Sequence, residues 1–288
     1  MHHITSMILN YKPLPHSRIQ SSSSLLTWRQ CPRKYYYQYI EGIKPEANIY
    51  LIRGKIAHSV LEKFYEIELE NASGFVFDLL WNRIEHLFKL EWKENEGELN
   101  KLNLGEKKVQ EYFQETNQML YRWFLRFMGK LSALVSKGMA AEDAFMKLKP
   151  EREVHILSEK FGVQGYVDAL FKDKVMDYKT SSKAEITEEY KIQLGIYCLL
   201  HFEKFGEFPK KVGIDYLSNG EITVEGEQQI ADLAKNALFE LEQVHSSVGS
   251  KEIDDYPCRT SPLCSWSNER GSGQCPHFAL CKKRGDLM

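Results

Sequence analysis

Two aspartates and a lysine, residue types that can hold a metal ion and act beside it, lie in the segment Gly165-Tyr-Val-Asp-Ala-Leu-Phe-Lys-Asp-Lys-Val-Met-Asp-Tyr-Lys179. The segment reads as two short strands joined by the tight turn Lys172-Asp173. With that turn, Phe171 faces Lys174 and Asp168 falls directly opposite Asp177. Side chains alternate along a strand, so Lys179 shares the face of Asp177. Like charges set opposite each other destabilise a hairpin, and a divalent cation between them reverses the sign. A metal site with a lysine beside it is what metal-assisted phosphodiester cleavage requires. A solvated sheet face carries the same residue types, so the rest of the chain must discriminate.

The elements around this hairpin follow from periodicity. Ser21-Ser-Ser-Ser24 is a helix start signal, and Leu25 to Ile40 reads as a helix interrupted near Cys31-Pro32. A second helix is expected from near Gly54, carrying His58, Leu61, Phe64 and Tyr65. Residues 75–92 are helical. Val109, Tyr112, Phe113, Thr116, Leu120, Trp123, Phe124 and Phe127 recur at three- and four-residue steps, an amphipathic helix whose aromatic stripe belongs to a core. After Pro150 the pattern becomes strand-like. Val154 to Leu157, Phe161 to Phe171, Val175 to Lys179 and Lys211 to Leu217 are strands. Asn219-Gly220 signals a hairpin into Glu221–Val224. Thr187 to Phe205 and Glu225 to Val244 are helices. The expected organisation is an arm over 1–20, an N-terminal part of the catalytic domain over 21–65, a helical insertion over 66–150, the core over 151–250, and a Cys-rich tail over 251–288 that packs back on 21–40.

The chain has 288 residues, 43% of them hydrophobic, and a formal net charge of −2. That supports a sizeable core and argues against a broad basic coat, though not against a local basic groove. No apolar run is long enough to span a membrane, and the first ten residues lack the pattern of a signal peptide. A cytoplasmic location is expected, in which thiols stay reduced. No phosphate-loop motif of an ATPase occurs.

Further residues join the hairpin. His58 stands on a helix in Gly54-Lys-Ile-Ala-His58. Gln193 and Tyr197, four apart, share a helix face. Together and in this order, Gly54…His58, Gly165-Tyr-Val-Asp168, Asp177-Tyr-Lys179 and Gln193-Leu-Gly-Ile-Tyr197 resemble the RecB-type branch of the PD-(D/E)XK nuclease superfamily, over roughly residues 21–285. The resemblance implies an α/β restriction-endonuclease-like core, a central mixed sheet flanked by helices. It implies that His58, Asp168, Asp177 and the Tyr178 carbonyl hold Mg²⁺ or Mn²⁺, that Lys179 orients water or neutralises developing charge, and that Gln193 and Tyr197 position the lysine and the DNA backbone. Glu151 or Glu153 adds a further contact, with the choice between them open.

The same superfamily has an iron–sulfur branch, seen in AddB-type and CRISPR-adaptation nucleases, with one cysteine before the core and three after it. Here Cys31 precedes the core and Cys264, Cys275 and Cys281 follow, which the resemblance assigns to a [4Fe-4S] cluster. The spacing departs from the usual C-x-x-C at Cys264-Ser-Trp-Ser267, for which an inserted loop over Asn268 to Gln274 accounts. Cys258 is an alternative ligand, and a Cys₄ zinc site is the alternative centre. Cys198 is expected to be a small buried hydrophobe. Arg33 and Lys34, next to Tyr35, Tyr36, Tyr37 and Tyr39, suit single-stranded DNA, or the tyrosines pack a helix on the sheet.

The expectation is a metal-dependent deoxyribonuclease, an exonuclease on single-stranded DNA or DNA ends in repair or recombination, acting alone or beside a helicase or recombination partner. A DNA-binding or scaffold subunit with a zinc-stapled tail is the rival.

Overall fold

A computed structural model describes residues 8, 11–12, 18–45, 47–69, 76–261, 264 and 275–285. The Ser21 and Ser24 hydroxyls each accept the other's backbone N–H, a reciprocal cap that starts helix α1, Ser22–Gln30. Cys31 is extended, and Pro32 then opens α2, Pro32–Tyr35, which continues as a π-helical turn over Tyr36–Ile40. This is the interruption expected near Cys31-Pro32. Helix α3 spans Ile49–Phe64 and begins more than a turn before the expected Gly54. Its start signal is Asn48, whose side chain accepts the Leu51 N–H. The exposed Tyr50 and Leu51 blur the apolar pattern there. Helices α4 (Val76–Glu94), α5 (Glu96–Lys101), α6 (Glu106–Val135) and α7 (Ala141–Leu148) follow. On α6, Thr116, Leu120, Trp123, Phe124 and Phe127 are buried, as the stripe requires.

The remaining elements are β1 (Glu151–Ser158), β2 (Val163–Leu170), β3 (Lys174–Lys179), α8 (Glu188–Phe205), β4 (Lys211–Tyr216), β5 (Gly220–Glu225), α9 (Glu227–Ser247) and the short α10 (Phe278–Arg284). The strands form one five-stranded sheet in the order β1-β2-β3-β4-β5. All pairs are antiparallel except β3–β4, whose parallel pairing requires the α8 crossover between them. The fold is α/β, a mixed sheet flanked by helices, as expected.

One sheet face buries Val163, Val167, Val175, Val212 and Ile214 in the core shared with α8 and α9. Helix α8 is apolar nearly all round because it lies between that face and α9. The other face gives Ala169, Met176 and Tyr178 to a second core with α3, α4 and α6. The active-site strands are therefore clamped between two cores. Among the described residues, no helix is long and apolar enough to cross a membrane. Most of the arm over 1–20 and the inserted loop over 268–274 lie outside the described residues.

Candidate active site

The β2–β3 hairpin has the expected register. Phe171 N–H donates to the Lys174 carbonyl at 2.8 Å, and Leu170 pairs with Val175 and Ala169 with Met176. The regular ladder stops there. One step further, where Asp168 would face Asp177, the Tyr178 N–H instead donates to Asp168 Oδ2 at 2.7 Å. A side chain has replaced the neighbouring strand as acceptor. The β1–β2 ladder also skips Asp168: Arg152 pairs with Ala169 and Val154 with Val167, but Glu153 stays outside the pairing. Glu153 has a left-handed φ of +47°. This break turns its carboxylate toward the notch between the strands.

His58, on α3, completes the notch. Its Nε2 lies 2.8 Å from the Tyr178 carbonyl and its Nδ1 3.3 Å from Asp168 Oδ1. A carbonyl can only accept, so Nε2 carries a proton here. One ligand atom each from His58, Glu153 and Asp168 lies within 4.8 Å of the others. The structure thus selects Glu153 over Glu151, whose carboxylate pairs with Lys204 at 2.7 Å. Simple alternation could not separate two glutamates of equal parity; the flipped backbone does. Glu62, one turn beyond His58, also acts on Glu153 electrostatically. Its i, i+4 spacing from His58 was the available signal for it.

Asp177 is 2% exposed and its two oxygens are divided. Oδ1 accepts Gln193 Nε2 at 2.9 Å and the Tyr197 hydroxyl at 3.0 Å. Oδ2 lies 2.6 Å from Lys179 Nζ. Gln193 and Tyr197 stand on one face of α8, as their spacing requires, and Gln193 also donates to the Tyr197 oxygen at 3.0 Å. Asp177 therefore stands beside the His58–Glu153–Asp168 group, and its Oδ2 has a lone pair beyond the one that faces Lys179.

The electrostatics are those of a pocket short of positive charge. Burial, then the charge of Asp168, pushes the Asp177 carboxyl above its ordinary range. The same two causes raise Glu153 to about 7. Burial works against the His58 imidazolium, but its hydrogen bond to Asp168 and the carboxylates around it outweigh that and raise it to about 9. Without a metal, a protonated His58 fills the role of the cation.

A pH dependence follows. His58 rises from 6.5 to about 9, so its contribution is complete below pH 6.5 and lost as pH rises through about 9. Glu153 rises from 4.5 to about 7, so its contribution is lost across that lower window. Both act in the same direction: the metal-free protein should lose stability between pH 5 and 9, on the order of 3 kcal/mol through His58 and a smaller, solvent-screened part through the half-exposed Glu153. Metal needs the deprotonated ligands, so its affinity should rise over the same range. Thermal melts at stepped pH in EDTA and in Mn²⁺ check this; parallel curves would contradict it.

A model of the PD-(D/E)XK nuclease superfamily matches residues 20–282. The chain belongs to that superfamily. No curated protein matches it in sequence. Among solved structures, it is similar to a Eubacterium rectale crystal structure described as a "Putative exonuclease", at 12% identity and TM-score 0.46, over 84% of this chain and 81% of that one.

In this PD-(D/E)XK protein Arg33, expected at a DNA contact, is turned inward. Arg33 is 4% exposed, and its Nε donates to the Tyr256 carbonyl at 2.7 Å. It ties α2 to the tail. Lys34 donates to Gln30 Oε1 at 2.5 Å and lines the cysteine cavity described next. The tyrosines pack: Tyr35, Tyr36 and Tyr37 are buried, and Tyr256 from the tail stacks on Tyr35 at 6.3 Å and sits 5.1 Å from Tyr36. These rings form a packed layer between α2 and the tail, with Tyr39 half-buried at its edge.

Cys31, Cys258, Cys264, Cys275 and Cys281 line one cavity of about 830 Å³. The structure brings all five together and does not separate Cys258 from Cys264. Burial, then the neighbouring Cys31, Cys281 and Cys264, pushes the Cys258 thiol up to about 12. Crowded thiols resist ionising together unless a metal neutralises them. Cys198 is apart, fully buried on α8.

Proposed function

We propose that this chain is a divalent-metal-dependent deoxyribonuclease that hydrolyses phosphodiester bonds in single-stranded DNA or at DNA ends. The observation that carries the reading is the convergence of His58, Glu153 and Asp168 ligand atoms within 4.8 Å beside the buried Asp177–Lys179 pair. The imidazole and carboxylate donors, with the Tyr178 carbonyl 2.8 Å from His58, suit Mg²⁺ or Mn²⁺. When bound, such an ion supplies polarisation of a phosphate oxygen and acidification of a water. Lys179, a fixed cation at the pocket, orients the water or stabilises charge developing on the phosphate. Gln193 and Tyr197 hold Asp177, and through it Lys179, in place. A helicase or recombination partner would supply strands if the protein does not act alone.

The cysteine cavity supports a second metal centre with a structural task. Thiolates suit a [4Fe-4S] cluster, which the family resemblance favours, or a tetrahedral zinc ion. The centre would join α1–α2 to the tail and close a very long loop.

Digestion of end-labelled single- and double-stranded DNA in Mg²⁺, Mn²⁺ or EDTA tests the activity. Cleavage of single strands, or from ends, in either metal and its loss in EDTA are expected. His58→Ala should shift the metal requirement upward, with partial rescue by excess Mn²⁺. Absence of cleavage in every metal defeats the nuclease reading. Iron and acid-labile sulfide in anaerobically purified protein test the cluster separately; stoichiometric zinc defeats it and leaves the nuclease standing.

A further inference from the structure

Among the described residues, β1 and β2 are covered on both sides near Arg152 and Ala169 but on one side only over 155–157 and 164–166. Val163 and Val167 face α8, and a Cβ added at Gly165 would stand 2.9 Å from Leu200 Cδ1 of that helix. The alternate residues Gln164, Tyr166 and Asp168 therefore point the other way. His155 pairs with Tyr166, and Leu157 with Gln164, so His155 and Leu157 share that open side with Glu153. The metal-ligand carboxylates and an uncovered strip of sheet are thus continuous.

On that strip the His155 and Tyr166 rings stack, with centroids 4.7 Å apart and planes at 27°. His155 Nε2 is fixed by Gln164 Oε1 at 3.0 Å. Tyr166 is nonetheless 59% exposed. It stands one two-residue step, about 7 Å, from Asp168. A tyrosine so exposed on a rigid strand, backed by a second ring, offers a flat π-face at low entropic cost. The nucleotide next to a phosphate held at Asp168 would reach it.

We propose that the His155–Tyr166 pair is a stacking platform for an unpaired base flanking the scissile phosphate, so that this site takes its substrate as a single strand. The proposal rests on the nuclease reading above. Bases in a duplex stack on one another and offer no free face, whereas single strands are held by aromatic stacking without regard to sequence. The ordinary alternative is a cross-strand pair that stabilises the sheet. That alternative predicts an effect on melting but none that depends on a base.

The test uses the full chain and oligo(dT) carrying one 2-aminopurine, moved one position at a time. In EDTA, wild type and Tyr166→Phe should quench the probe at one position, and Tyr166→Ala should not. Tyr166→Ala should bind single strands about ten-fold more weakly and leave blunt duplex affinity unchanged. In Mg²⁺ or Mn²⁺ it should raise KM with little change in kcat. Unaltered quenching and affinity in Tyr166→Ala, with wild type still cutting, would overturn the platform alone. Tyr166-dependent quenching by a wild type that cuts nothing would overturn the nuclease reading alone. A wild type that binds no single strand would overturn both. Equal losses in Tyr166→Phe and Tyr166→Ala, with a lowered melting temperature, would reduce the pair to a structural role.

Discussion

Lys179→Ala should lower single-turnover cleavage of single-stranded DNA by about a hundred- to a thousand-fold, with the fold intact. Lys179 Nζ is the cation held 2.6 Å from Asp177 Oδ2. Asp177 is buried, and burial with the Asp168 charge already raises its pKa. Removing the lysine takes away the main opposing influence, so Asp177 should protonate more readily, and the pocket loses a fixed positive group near the phosphate. Arginine should not substitute, because its planar fork cannot reproduce a compact ammonium in that space. Extra Mn²⁺ should not rescue the variant, since the lysine is no ligand; this separates it from His58→Ala. A melting temperature close to wild type excludes unfolding as the cause. Cleavage within about three-fold of wild type would remove Lys179 from the mechanism.

Gly195→Ala should destabilise the protein by about 3 kcal/mol or more, a fall in Tm of about 6–12 °C. Gly195 is where α8 meets α9. A Cβ there would clash with the Leu233 carbonyl oxygen and stand 2.8 Å from Ala237 Cβ. The first obstacle is backbone, so no rotamer change relieves it, and alanine's better helix propensity recovers only about 1 kcal/mol. Gln193 and Tyr197 flank this contact and hold Asp177, so activity should fall as α8 moves outward. Circular-dichroism melts and cleavage rates check both; an unchanged Tm would show that the helices separate freely.

The hairpin was legible because a two-residue turn leaves one register, and period-two alternation then places Asp168, Asp177 and Lys179. Gln193 and Tyr197 were legible as an i, i+4 pair. His58 was not, since nothing local brings an α3 residue to the Tyr178 carbonyl 120 positions away; only the family resemblance did. Arg33 hid its place in the fold for the same reason. Beside Lys34 it looks like half of a basic pair, but its partner is a carbonyl 223 residues later. The His155–Tyr166 pair depends on a β1–β2 register that no turn motif announces. Glu153 was ambiguous because a single left-handed residue changes the parity of a strand, and no residue type marked it.

That left-handed residue has one further consequence. Glutamate at φ +47° occupies a conformation that L side chains other than asparagine and aspartate seldom adopt, and it does so in a pocket already crowded with carboxylates. Glycine or asparagine would relax the backbone and remove a charge, and aspartate would relax it while drawing the carboxylate back by one methylene, so position 153 gains stability only by losing or withdrawing the carboxylate. Selection for heat resistance and selection for turnover pull on this residue in opposite directions. In a lineage that had lost its activity, the edge strand would be the first place for the sheet to regularise.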